Sequence, residues 1–375
     1  MKNKIRAVFG VNDFAVGGMQ RQFSEQIRHF DREKFDISLI TLFQFKGKED
    51  LYAELPDDLS VYKLSFRGWW DIAEWRKLYR ILRTINPHIV VSSLFFGNTV
   101  FRLIRPFVGY ISIAREHNTY LHKPRLHILI DRILSHLSYR IVTVSTTVAD
   151  FTAQQESIPR GKFVVIHNGR DIPMIQKELF ELPEKNALRS ELGFTQNDVI
   201  LLNVARLTSQ KNHRLLIDGF AEFYKKNPEY RLAIVGGGDI QKELEEYAHS
   251  TEAREAIIFF GHRPDTTKFY KIAELFVSAS DMEGFSNSYI KALAAGLPIV
   301  STLTAGTDEF LVDGQNGYVI KEPTVKEVAS AFGRIDLLKL DELKKHARET
   351  AERFSIQRTV MQYQELFVGA YNHGK

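Results

Sequence analysis

Leu275-Phe-Val-Ser-Ala-Ser280-Asp-Met-Glu283-Gly-Phe-Ser-Asn-Ser-Tyr-Ile290-Lys-Ala-Leu-Ala-Ala-Gly296-Leu-Pro298-Ile-Val-Ser301 contains one complete strand–helix–strand step. The apolar run 275–278 reads as a buried strand, Glu283-Gly284 as the turn that ends it, 286–295 as a helix and 299–301 as the next strand. Gly296 and Pro298 close the helix, because glycine accepts the left-handed cap and proline cannot continue the ladder. A helix between two strands is the connection that parallel pairing needs.

The same alternation extends in both directions. Toward the N-terminus it gives strand-like and helical runs at 5–8, 18–29, 36–42, 72–83, 88–91, 111–115, 126–137 and 140–144. It restarts at 199–204 and continues through 212–224, 231–235, 240–248, 256–260 and 268–273. Alternation of this kind is the signature of parallel α/β sheets, and two such series imply two of them. Between them, 168–193 reads as irregular, with the seam near Asn168-Gly-Arg-Asp-Ile-Pro173, where a glycine turn and a proline interrupt the period. A last helix near 356–371 has Val360, Tyr363, Leu366, Phe367 and Tyr371 at helical spacing and must bury that face.

A chain of 375 residues exceeds the usual reach of one core, which agrees with two domains. Hydrophobic residues at 44% and charged residues at 26% exclude a disordered chain. The start of the chain lacks the apolar core of a secretory signal, so a cytoplasmic address is expected. The most apolar neighbourhood, 89–113, is broken by Arg102, Arg105, Gly97, Pro106 and Gly109, which suits buried α/β elements and not a membrane span. Without cysteine, thiolate metal sites and thiol nucleophiles are excluded. Between Asp71 and Arg140 eleven cations face four acids, so a basic surface is expected there. It would be either a solvated face or one that attracts an anionic membrane or a phosphate-bearing acceptor.

Four loops at strand ends carry the candidate chemistry. Gly17-Gly18 precedes the first helix, where backbone N–H groups and the helix dipole suit a phosphate, although the dinucleotide-binding spacing is missing. Arg206 and Lys211 lie five residues apart between a strand and a helix, where two cations can neutralise a diphosphate. Gly236-Gly237-Gly238 and Phe260-Gly261-His262-Arg263 follow the next two strands and have a plain turn reading as well. In the stretch quoted first, Glu283 can accept hydrogen bonds from sugar hydroxyls while the helix start faces phosphate.

These motifs, in this order, resemble glycosyltransferase family 4, retaining enzymes of the GT-B fold that use nucleotide sugars. The likeness spans nearly the whole chain and also includes His117 in Ala114-Arg-Glu-His-Asn118, Asn168-Gly169 and Ala295-Gly-Leu-Pro298. It implies an α/β protein of two Rossmann-like domains facing a central cleft: 1–168 binding the acceptor, 169–355 binding the donor, and helix 356–375 packing back onto the first. It further implies that Arg206 and Lys211 bind the diphosphate, that the Gly17-Gly18 loop supports it through Gly18, and that Glu283 contacts the transferred sugar. Gly237, Phe285, Ser286 and Asn287 would present backbone to sugar or phosphate, Arg263 would lie near the base, and His117 near the reacting centre. The family carries a second glutamate, a ribose ligand, eight positions after the first; here that position is Lys291, which cannot accept a hydrogen bond.

The implied reaction moves a hexose or N-acetylhexosamine from a nucleotide-diphosphate sugar, UDP before GDP, to a glycan, lipid-linked or polysaccharide acceptor. No cofactor or metal is expected, since the cations meet the leaving charge and no Asp-x-Asp cluster is present. The expected partners are the donor, the acceptor and an anionic membrane surface, with no nucleic acid. Lys291 keeps two alternatives open: a catalytically impaired homologue serving a partner transferase as a binding subunit, and a GT-B sugar-nucleotide epimerase.

Overall fold

Parallel pairing runs through both sheets of the computed structural model, which describes residues 4–374 except Lys46 and Lys48. Residues 1–3 and Lys375, the outer ends of the predicted 1–168 and 356–375 segments, lie outside the described residues. The chain divides into two units, the first running to Gly169 and rejoined from Ile356, the second spanning Arg170–Ser355.

The first unit contains β1 (Ile5–Val11), β2 (Phe35–Thr41), β3 (Ser60–Lys63), β4 (Ile89–Ser93), β5 (Ile111–Glu116), β6 (Ser138–Thr143) and β7 (Phe163–Val165). Their order in the sheet is β3-β2-β1-β4-β5-β6-β7. The second unit contains β8 (Val199–Val204), β9 (Tyr230–Val235), β10 (Ile257–Phe259), β11 (Leu275–Ser278), β12 (Ile299–Thr302) and β13 (Gly317–Ile320), in the order β10-β9-β8-β11-β12-β13. Central strands such as β1 and β4 are apolar on both faces because helices cover both sides of a parallel sheet. In each order the direction of winding reverses once, between β1 and β4 and between β8 and β11. The carboxyl ends of strands flanking such a reversal form the natural crevice for a ligand.

The helix Ile356–His373 belongs to the core of the first unit: Ile356, Val360, Tyr363, Phe367 and Ala370 are all buried there. The Phe367 ring lies 5.6 Å from Phe30, 6.1 Å from Phe35 and 6.2 Å from Phe9. Truncating a ring so placed costs about 3–5 kcal/mol.

Three strands escape the sequence reading, and all are sheet edges: β3, β7 and β13. An edge strand needs less apolar surface, and β3 (Ser-Val-Tyr-Lys) has no buried residue. The stretch 168–193, expected to be irregular, holds the helices Ile172–Glu181 and Lys185–Glu191. Pro173 does not break a helix there but helps to start one, in the first turn after Asp171, whose carboxylate accepts the Met174 N–H at 3.1 Å. The apolar neighbourhood 89–113 resolves into β4, the helix Phe95–Val108 and the start of β5.

The expected basic surface also needs correction, because three of its cations are interior. Arg102 Nη1 meets Asp131 Oδ1 at 2.7 Å with both side chains buried, and Lys123 bridges Asp131 and Glu156. Arg115, within β5, has a buried side chain that donates to Gln26 Oε1 at 3.1 Å and covers the rings of Phe23 and Tyr363. Arginine can be buried in this way because its planar cation stacks and pairs at low cost in hydration.

Candidate functional site

In the second unit the loops that follow β8 and β11 leave neighbouring strands at the reversal point. The β8 loop ends in a short turn at Ser209–Lys211, then Asn212 takes a left-handed conformation (φ 46°) to open the helix His213–Tyr224. Asparagine tolerates that conformation better than most residues. Its amide also donates to Asp281 Oδ1 at 2.8 Å on the β11 loop. Gln210 adds two more ties, donating to the Met282 carbonyl at 2.7 Å and accepting the Asp281 N–H at 3.0 Å. Across this lacing Lys211 Nζ and Glu283 Oε1 form a close ion pair, both largely shielded from water. Ser280 Oγ donates to the same carboxylate oxygen at 3.3 Å.

Arg206, by contrast, is exposed, and its guanidinium forms no salt bridge or hydrogen bond among the described residues. Thus Lys211 and Glu283 are joined directly, while Arg206 stands on the same loop with its donors turned to solvent. Beneath them Asn203 and His213 form a buried support: Asn203 donates to the Val277 carbonyl at 2.8 Å, and His213 Nε2 lies 3.1 Å from Asn203 Oδ1. Burial first, then Lys211, lowers the His213 pKa to about 4, so this imidazole is neutral.

Phe285 faces inward and packs against Phe354 and Phe310, with centroids 4.9 and 5.9 Å away, so only its backbone belongs to the loop surface. Ser286 is the N-cap of the helix Asn287–Ala295, which has no side-chain cap. Gly306, which the sequence reading passed over, allows this arrangement: a Cβ there would lie 2.4 Å from the Gly284 carbonyl oxygen. The glycine run after β9 is explained by loop packing as well. A Cβ at Gly236 would strike the Ala205 carbonyl at 1.8 Å and one at Gly238 the Leu207 carbonyl at 2.0 Å, whereas Gly237 has ordinary room. The Gly237 carbonyl accepts the Leu207 N–H at 2.9 Å, which fixes the Arg206 loop against it.

Arg263 lies beyond the end of β10 and forks onto Asp265, with hydrogen bonds of 2.9 and 2.8 Å. That contact holds the Asp265 pKa down at about 2. Next to it, Lys291 donates to the hydroxyls of Thr266 at 3.2 Å and Thr267 at 2.8 Å, and its ammonium lies 5.2 Å from the Tyr270 ring centroid. Lys291 is therefore attached to the loop that carries Arg263.

In the first unit Gly17 is the N-cap of the helix Gly18–His29, again without a side-chain cap. Asp13 shapes this loop by accepting from the Ala15 N–H at 3.0 Å and from Gln20 at 3.2 Å. Across the reversal point, Asn12 Oδ1 accepts the Gly97 N–H at 3.0 Å. There Leu94 has φ 65°, a conformation that costs a branched residue roughly 1–3 kcal/mol and that tends to mark functional sites. No signal in the sequence pointed to Leu94, because backbone strain leaves no trace in composition.

His117 follows β5 directly and lies beside the end of β4, with Nε2 3.3 Å from Ser93 Oγ. Burial, reinforced by the Arg115 cation, pushes its pKa well below the usual histidine value and keeps the ring neutral. The neighbouring Glu116 is buried and its pKa rises to about 7, burial outweighing the attraction of Lys123. Asn98 donates to the Glu116 carboxyl at 3.1 Å.

Comparison with known proteins matches residues 16–172 to the family described as Glycosyltransferase Family 4 and residues 184–354 to Glycosyl transferases group 1. The α-monoglucosyldiacylglycerol synthase of Acholeplasma laidlawii is 31% identical over 159 residues, 42% of this chain and 40% of that protein. The putative glycosyltransferase EpsD of Bacillus subtilis (strain 168) is 29% identical over 188 residues, 49% of each chain. The matched segments thus span less than half of these relatives' own length. Among solved structures, Anabaena HepE in complex with UDP has a TM-score of 0.82 at 16% identity, covering 97% of this chain and all of that one. At that identity the likeness carries the fold: two parallel-sheet Rossmann-like domains of the GT-B type, the class expected from the sequence.

Proposed function

Because the chain belongs to the glycosyltransferases, matching family 4 in its first half and group 1 in its second, we propose that it transfers a sugar from a nucleotide-diphosphate donor. The single observation that carries this reading is the Lys211–Glu283 pair laced together at a sheet reversal, with the exposed Arg206 on the same loop. An ammonium has three donors, so Lys211 can keep one on Glu283 and turn the others to a diphosphate, while Arg206 adds a fork of hydrogen bonds. Glu283, an acceptor held in place by Lys211 and Ser280, is suited to sugar hydroxyls.

In the proposed reaction the bond from the anomeric carbon to the phosphate oxygen breaks and a bond to an acceptor hydroxyl forms on the same face. Configuration is retained, and the hydroxyl proton passes to the departing phosphate oxygen on that face. Preorganised cations stabilise the charge that develops on the leaving group, so Arg206 and Lys211 do this without a metal. The neutral ring of His117 is assigned to the acceptor, whose uncharged hydroxyl it would orient.

A hexose or N-acetylhexosamine on UDP is the favoured donor, supported by the UDP complex of HepE. A lipid-linked or glycan acceptor is supported by the name of the Acholeplasma relative, which makes a glucosylated diacylglycerol. The test is a panel of UDP- and GDP-sugars, read by nucleotide release and by melting temperature, since a ligand bound only by the folded state stabilises it. Nucleotide release with one donor class supports transfer. Interconversion of sugars without release would instead mean an epimerase, and binding with neither outcome a binding subunit.

A further inference from the structure

The helices Ile72–Ile85, Phe95–Val108 and Arg125–Leu134 of the first unit turn apolar side chains outward although each already buries another face. Leu78, Leu82, Phe101 and Leu134 point into the unit, while Ile72, Leu103, Phe107, Leu126, Leu129 and Ile133 face solvent. Phe107 is 71% exposed, Leu126 65% and, in the preceding loop, Trp70 76%. Scattered exposed hydrophobics are ordinary, but these are contiguous. Leu103 separates two apolar grooves of about 430 and 440 Å³, one lined by Ile72, Tyr79 and Phe107, the other by Trp69, Leu126 and Ile133.

Arginines are set into the same face. On the first helix Ile72, Arg76, Tyr79 and Arg83 follow one another at intervals of four, three and four residues, a single stripe. On the third, Arg125 and Arg132 border the stripe Leu126, Leu129, Ile133. Arg76, Arg83, Arg125 and Arg132 are exposed, and none forms a salt bridge among the described residues. The acids on these helices are engaged: Asp71 caps the first, Glu74 accepts the Ser65 N–H at 3.1 Å, and Asp131 is buried against Arg102.

We propose that this face seats in the interfacial region of an anionic lipid bilayer. Its rings and aliphatic side chains enter the acyl boundary, and Arg76, Arg83, Arg125 and Arg132 reach lipid phosphates. Charge complementarity selects this occupant. Long arginine stems let the cation stay at the phosphate plane while neighbours two or three residues away go deeper, and tryptophan favours that boundary. No helix among the described residues is long and apolar enough to cross a membrane, and the proposed contact is interfacial. The proposal does not depend on sugar transfer, and its test contains no nucleotide.

Of the three tryptophans of the chain, Trp75 and Trp69 line the two grooves and Trp70 is exposed in the adjoining loop, so intrinsic fluorescence reports on this face. The full chain is mixed with vesicles of phosphatidylcholine alone or with phosphatidylglycerol, and binding is followed by sedimentation and tryptophan emission. The anionic vesicles should bind the chain, shift the emission to the blue and, when their acyl chains are brominated, quench it. Replacing Arg76, Arg83, Arg125 and Arg132 by Gln should weaken binding by about fivefold per charge, several hundredfold in all. The triple variant Phe107→Ser, Leu126→Ser, Ile133→Ser should lose the blue shift and quenching while retaining weaker, salt-sensitive adsorption. Sedimentation with no change in emission would place binding elsewhere and overturn the proposal, as would equal binding to neutral vesicles. Self-association that the triple serine variant abolishes would identify the face as a contact between copies and overturn it equally.

Discussion

At the reversal point of the second unit an ammonium and a carboxylate meet across neighbouring loops, whereas the equivalent place in the first unit has glycines, a strained leucine backbone and an uncharged histidine. The scaffold is the same, parallel strands ending in loops at a change of winding, but the electrostatics are opposite. One site is built to meet charge, and burial strengthens its ion pair relative to bulk water. In the other, burial keeps the His117 ring uncharged and raises the Glu116 pKa to about 7. This difference suits a reaction between an anionic donor and a neutral hydroxyl.

Removing charge from the second unit should produce the largest effect. Lys211→Ala should lower turnover by roughly 10²–10³-fold, as loss of one preorganised donor does, and should also shrink the nucleotide-dependent rise in melting temperature. His117→Ala should lower turnover and leave that rise intact. If His117→Ala abolishes nucleotide stabilisation, the division of roles between the units is broken.

Glu116 tests the neutrality of the first unit. Its pKa is raised from 4.5 to about 7, so the folded state holds a proton that the unfolded state releases, and stability falls as pH rises from about 4.5 through 7. Glu116→Gln should therefore match the parent near pH 4.5 and exceed it at pH 8, by at most about 3 kcal/mol. Denaturant melts at both pH values decide this, and a parent more stable at pH 8 would contradict it.

Lys291→Glu sharpens the comparison within the second unit. A carboxylate can accept from the Thr266 hydroxyl that now accepts from Lys291, whereas the Thr267 hydroxyl already donates to Glu178 Oε2 at 3.0 Å, so the change keeps one of the two ties to this loop. If a ribose contact is regained, nucleotide affinity by calorimetry should rise about tenfold to a hundredfold, the value of roughly 1.5–3 kcal/mol for a charge-assisted hydrogen bond. Weaker binding would instead show that Lys291 itself serves the anionic nucleotide.

The smallest effect is expected at Arg263. Its fork onto Asp265 is about one-third exposed, and such pairs contribute less than about 1 kcal/mol. The lowered Asp265 pKa means that this contribution is present above about pH 4 and fades as pH falls toward 2. Arg263→Ala should thus barely move the melting temperature at pH 7, and the two proteins should converge in acid.

Much of the fold was legible because interior parallel strands must be apolar along their whole length and their helices must be amphipathic. Periodicity at 275–301 therefore sufficed to read β11, its helix and β12. The edge strands β3, β7 and β13 were not legible, since an edge requires only a backbone partner. Pro173 misled in the same local way, because proline marks a helix start and a helix break with the same residue.

The candidate site divides similarly. The sequence by itself placed Arg206, Lys211 and Glu283 on loops at strand ends, because glycines and helix starts betray such loops. That Lys211 and Glu283, 72 residues apart, touch was decided only by the tertiary structure, which sets β8 beside β11. Tertiary structure likewise buried Arg102, Arg115 and Lys123, which composition alone had counted toward a basic face, and left Phe107 and Leu126 in solvent. The physical reason is common to all of these: periodicity records which face of an element is apolar, but pairing, burial and exposure depend on what the rest of the chain brings against that face.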